Sequence, residues 1–122
     1  MKLLGKIICI DFDGTIVDYY GEGETVPMPR AFEVIKRIKD AGATIVLWTC
    51  REDERNRKYL TDAVNFCKAN GVEFDHVNET PVEIDFRPDY VKRRKPYCAF
   101  FIDDRNIGGF IGWDKVEELL FS

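Results

Sequence analysis

The chain has 122 residues, 45% hydrophobic, 13% aromatic and 33% charged, with a formal net charge of −4. That composition argues against disorder, the length suits a single domain with one core, and no apolar run approaches the roughly 18 residues that cross a bilayer. The slight acidity supplies no global field for nucleic acid, so polyanion binding would need a local patch.

The four cysteines, Cys9, Cys50, Cys67 and Cys98, are too widely spaced for a zinc pattern or a dense disulfide framework. Cys9 and Cys98 lie in apolar runs and read as reduced core residues. Acidic residues interrupt the N-terminal apolar stretch after Ile10 and no small-residue cleavage site follows, which opposes a signal peptide. A reducing cytoplasm is the compartment expected.

Along the chain, residues 6–10 are a short, mostly β-branched run that ends abruptly at Asp11, as expected of a strand buried on both faces of a parallel sheet. Residues 16–28, with Gly21, Gly23, Pro27 and the pair Tyr19 and Tyr20, read as an exposed loop or small flap. Pro29 suits the first turn of a helix in which Ala31, Val34, Ile35 and Ile38 share one face and Gly42 marks the stop. A second strand is predicted over 43–48, and a second helix over about 53–70 with Leu60, Ala63, Val64 and Cys67 on its buried face. Glu52, Asp53 and Glu54 lie near that helix's positive end. Residues 72–77 make a weaker third strand, 78–95 have no clean period, and 97–102 make a fourth strand ending at Asp103 and Asp104. Residues 113–121 form a short amphipathic helix with Val116, Leu119 and Leu120 inward.

This alternation predicts an α/β protein, a Rossmann-like three-layer α/β/α arrangement around a central parallel sheet. Ligands in such sheets bind at the carboxyl ends of the strands, where the polar residues of this chain gather. Asp11, Asp13, Asp103 and Asp104 would converge from two strand ends, and four carboxylates need a positive partner. Oxygen ligands with an open position suit Mg²⁺. An isolated Asp-x-Asp is as readily a capped turn, but the second acidic pair shifts the balance. Asp11 and Asp13 flank one residue, so in extended backbone both face the same side. Asp11 then suits a nucleophile toward phosphorus and Asp13 a general acid and base. Gly14 permits close backbone approach to a substrate, and Thr15 reads as a turn hydroxyl or a bond near Asp11.

With DFDGT after a buried strand, Thr49 closing IVLWT, the Lys95–Pro96 pair ahead of a strand and IDD at that strand's end, the chain resembles the haloacid dehalogenase superfamily. The four motifs stand in the superfamily's order over nearly the whole chain. The resemblance implies a phosphatase in which Asp11 is the nucleophile and Asp13 the acid and base. Thr49 would bind the phosphoryl group and Lys95 would steady its charge. Asp103 and Asp104 would hold Mg²⁺ together with Asp11 and the backbone carbonyl of Asp13. Lys68 competes with Lys95 for the charge-stabilising role, and Lys95 is preferred because Pro96 and a strand follow it directly. Arg51 reads equally as a fork on substrate phosphate or a partner of Glu52 to Glu54. Tyr19 and Tyr20 suit a rim over the site, and His76, the one histidine, a structural place.

The gaps between motifs leave no room for a cap domain, which fits a large phosphorylated substrate: a phosphoprotein, a glycan or, as the only nucleic-acid contact, a nucleic-acid end. Arg87, Lys92, Arg93 and Arg94 offer a basic cluster for such an anion. Two alternatives compete, a phosphoacceptor signalling module and a catalytically silent binding module of the same fold. Asp13 opposes the first by supplying a base that would hydrolyse the phosphoenzyme, and the full set of motif residues opposes the second. Neither membrane association nor an oligomeric state is indicated by the residues.

Overall fold

Four short strands rich in β-branched and aromatic residues form the sheet of the computed structural model, which describes residues 2–18, 25–81 and 97–122. They are β1 (Ile7–Ile10), β2 (Thr44–Leu47), β3 (His76–Val77) and β4 (Phe100–Ile102). Their order is β3-β2-β1-β4 and every pairing is parallel. All four residues of β1 are buried, as the unbroken apolar run IICI requires of a central strand covered on both faces. The chain steps from β1 through β2 to β3 and then crosses back to place β4 on the other flank of β1. The switch in strand order therefore falls between β1 and β4, and ligands of such sheets bind at the carboxyl ends of the strands there.

Helices α1 (Ala31–Asp40), α2 (Tyr59–Ala69) and α3 (Trp113–Phe121) complete the described elements. Their apolar faces join Ile8, Ile10, Ile45 and Leu47 in one core cluster, while Ile7, Cys9 and Val46 form a smaller cluster on the opposite side with Trp48 and Cys98 packed against it. The Rossmann-like α/β architecture is as expected; of the two cysteines expected in the core, Cys9 is buried and Cys98 only partly so, and both are free thiols. Most of the stretch between β3 and β4 lies outside the described residues, as does Lys95. Among the described residues no helix is long and apolar enough to cross a membrane.

Several boundaries differ from those predicted. Helix α1 begins at Ala31 because Arg30, at φ 62°, turns the chain in the left-handed region and leaves Pro29 in the preceding turn. Helix α2 begins at Tyr59, six residues later than expected. Residues 53–58 instead make a tight turn, with Glu54 N–H donating to Arg57 O at 2.8 Å. The Asp53 carboxylate accepts the Thr61 N–H at 2.9 Å and its hydroxyl at 2.5 Å, capping the helix from outside it. These bonds hold the Asp53 carboxyl below the usual carboxylate range. Strand β3 is reduced to two residues because Asp75 takes the Ile45 N–H with its side chain at 2.9 Å, substituting for a main-chain partner. Strand β4 likewise begins at Phe100 rather than at residue 97.

Helix α3 docks through Trp113, Val116 and Leu120, whereas Leu119 is 51% exposed and does not face inward as predicted. At about 100° per residue Leu119 lies roughly a quarter-turn off the stripe shared by the other three. Ion pairs from Arg30 to Asp114 (2.7 Å) and Glu117 (3.0 Å), and from Arg37 to Glu117 (3.2 Å), tie α3 to α1. The Arg37 guanidinium also lies 4.0 Å from the centre of the Phe121 ring. In a denaturant titration, Leu120→Ala is expected to cost about 2–4 kcal/mol and Leu119→Ala less than about 0.5 kcal/mol. Equal losses would refute this seating of the helix.

Candidate active site

Strand register delivers the acidic residues to one place. Ile10 pairs with Ile102, and the Asp11 N–H donates to Ile102 O at 2.9 Å, so Asp11 and the pair Asp103 and Asp104 leave adjacent strands side by side. One carboxylate oxygen from each of these three residues lies within 4.8 Å of the other two. Burial, then the charges of Asp103 and Asp104, push the Asp11 carboxyl up to about 7. The donor set is all oxygen and concentrates negative charge in one place, which fits a hard divalent cation.

A relay of two hydrogen bonds braces Asp11. The Thr15 hydroxyl donates to its carboxylate at 3.2 Å, and buried Thr15 is itself anchored by the Trp113 indole N–H, which donates to Thr15 O at 2.7 Å. Trp113 is 2% exposed and packs edge-on against Phe110, so α3 reaches through the core to brace the DFDGT turn. Gly14, at φ 81°, lets that turn close, and its N–H donates to Val17 O. Asp103 shapes the opposite wall, its carboxylate accepting the N–H groups of Asp104 (2.7 Å) and Arg105 (3.1 Å).

The Asp13 side chain is not in the carboxylate cluster. Arg51 takes it in a two-pronged fork, Nε to one oxygen and Nη2 to the other, both at 2.8 Å. The guanidinium also lies 4.7 Å from the centre of the Phe12 ring and donates to Tyr59 O at 3.2 Å. Arg51 thus forks Asp13, a partner that was not among those expected for it, a substrate phosphate or the acids Glu52 to Glu54. Thr49 follows β2, and its hydroxyl accepts the Arg51 N–H at 3.1 Å. Its own N–H donates to Asn78 Oδ1 at 2.8 Å.

The structure therefore brings together Asp11, Asp13, Gly14, Thr49, Arg51, Asp103 and Asp104. Lys95, Tyr19, Tyr20 and the basic cluster at 87–94 lie outside the described residues. Lys68 is exposed on α2, and His76 is half-buried in β3. Trp113 and Asn78 escaped sequence reasoning. The only hint for Trp113 is that a buried indole N–H needs an acceptor. Asn78 gave no signal beyond asparagine's tolerance of left-handed backbone.

Residues 8–99 match a family model described as haloacid dehalogenase-like hydrolase. The chain belongs to that family. The matched span includes Asp11, Asp13, Thr49 and Arg51 and stops short of Asp103 and Asp104, so it is the fold that places the second acidic pair against the first. This hydrolase is also similar to the solved structure of a conserved protein from Bacteroides thetaiotaomicron. The two are 32% identical with a TM-score of 0.77, over 95% of this chain and 89% of the other. No curated protein matches the chain.

The raised Asp11 carboxyl makes metal-free stability depend on pH. The folded state binds this proton more tightly than the unfolded chain, so stability is full below the ordinary carboxylate range and is lost as pH rises through about 7. In EDTA, Asp11→Asn is expected to raise stability at pH 8 by about 1–2 kcal/mol after allowance for solvent screening, and to change it little at pH 4. Calorimetry at both values checks this, and an equal effect at the two would refute it.

Proposed function

We propose that this hydrolase is a Mg²⁺-dependent phosphate monoester hydrolase working through an aspartyl phosphate on Asp11. The convergence of Asp11, Asp103 and Asp104 at the ends of adjacent strands supports this reading above all. Mg²⁺ would be held by these three carboxylates and the backbone carbonyl of Asp13, and when bound it supplies positive charge to the phosphoryl oxygens.

An Asp11 oxygen attacks phosphorus as the ester P–O bond breaks, and the leaving oxygen takes a proton from Asp13. Water then attacks the phosphoenzyme, gives its proton to Asp13, and the P–O bond to Asp11 breaks to release phosphate. Thr49 donates its hydroxyl to a phosphoryl oxygen, and Gly14 leaves room for the substrate. Lys95 keeps the charge-stabilising role implied by its motif. Both Asp13 oxygens are engaged by Arg51, so one guanidinium N–H lets go when Asp13 carries a proton. A site without a cap suits a large phosphorylated substrate in the cytoplasm, among phosphoproteins, glycans and nucleic-acid ends.

Asp11→Asn is expected to abolish phosphate release from an aryl phosphate, sugar phosphates, nucleotides and phosphorylated DNA ends. EDTA should do the same, with Mg²⁺ restoring turnover. Activity indifferent to chelation would sink the metal role of Asp103 and Asp104, and no release from any compound would favour the binding-module reading. Arg51→Lys keeps the charge but cannot fork, and should lower kcat about tenfold or more with a smaller change in KM. A change confined to KM would instead mark Arg51 as a substrate contact.

A further inference from the structure

Asn78 stands where the ladder between β2 and β3 runs out. Its N–H donates to Leu47 O at 2.8 Å, the last regular contact of that ladder. Its φ of 53° then turns the backbone into the left-handed region, taking its own carbonyl away from β2. The side chain supplies the missing acceptor, Oδ1 receiving the Thr49 N–H at 2.8 Å. On the other side of β2 the Trp48 N–H donates to Ile10 O at 2.9 Å, so residues 48 and 49 are pinned from both neighbouring strands. The consequence extends along the loop. Because the Thr49 hydroxyl accepts the Arg51 N–H, its hydrogen is left to donate to an incoming oxygen, and Arg51 goes on to fork Asp13.

We propose that Asn78 is a positioning residue for the phosphoryl-binding loop, setting Thr49 directly and, through Arg51, the carboxylate of Asp13. The proposal rests on the phosphatase reading. Asparagine meets both demands of the place, since it tolerates left-handed backbone and carries a side-chain acceptor. Asn78 is exposed, so its replacement does not open a cavity in the core.

Two variants separate backbone from acceptor. Asn78→Gly suits the left-handed conformation but lacks the acceptor, whereas Asn78→Asp keeps both. Amide hydrogen exchange at Thr49 is expected to accelerate in Asn78→Gly and to stay near wild type in Asn78→Asp. With an aryl phosphate and Mg²⁺, kcat of Asn78→Gly should fall about tenfold while KM moves less than about threefold. Asn78→Asp should keep kcat within about threefold, its added charge appearing in KM. Wild-type kcat in Asn78→Gly overturns the proposal, as does an Asn78→Asp variant as slow as the glycine one. If the wild-type protein hydrolyses no monoester, the phosphatase reading falls, and the affinity for orthophosphate with Mg²⁺ decides the matter for Asn78. Weakening of about fivefold in Asn78→Gly relative to wild type supports the positioning role, and wild-type affinity in Asn78→Gly overturns it.

Discussion

Three carboxylates held against their own repulsion are the constraint on which this protein is organised. Asp11, Asp103 and Asp104 share a space smaller than 5 Å, partly out of water. A chain free to relax would separate them. They stay together because Ile10 and Ile102 are register partners in adjacent parallel strands, so the acids that follow them have nowhere else to go. The core that seats β1 therefore holds the acidic cluster in place, and the elevated Asp11 carboxyl is its electrostatic signature.

Around that cluster each reactive side chain is oriented by a partner from a distant part of the chain. Trp113 in α3 braces Thr15, which donates to Asp11. Asn78 beyond β3 holds the main chain of Thr49, and Arg51 beyond β2 grips Asp13. Only the contact to Trp113 is buried, where a lost acceptor would be most costly. The others lie nearer solvent. Under the proposed mechanism this gradient would keep the Asp11 carboxylate fixed while Asp13, nearer solvent, exchanges protons.

The Arg51 fork has a double character. It supplies Asp13 with a compensating charge and a fixed plane, yet it occupies both oxygens that proton transfer would use. The contact of its guanidinium with Tyr59 O also links Asp13 to the first residue of α2. The start of that helix is set by the Asp53 cap, so the loop from Thr49 to Tyr59 joins Asp13 to the frame.

The sequence by itself determined the parallel α/β order, the strand ends and the residues that gather there, because unbroken apolar runs and abrupt acidic stops are local signals. DFDGT, IVLWT and IDD carried Asp11, Asp13, Thr49, Asp103 and Asp104 on that basis. Boundaries were less legible. The first turn predicted for α2 became a loop because Asp53 caps from outside the helix, and the inward place expected for Leu119 was lost to the angle at which α3 docks. The bond from Thr15 to Asp11 is local and was within reach of the sequence, whereas the distant partners of the site residues were decided by tertiary structure. The spacing of Arg51 from Glu52 and Glu54 is visible in sequence, but its distance from Asp13, 38 residues away, is not. Neither the indole of Trp113 nor the amide of Asn78 announces its acceptor or donor, because each hydrogen bond joins segments that only the packed sheet brings within 3 Å.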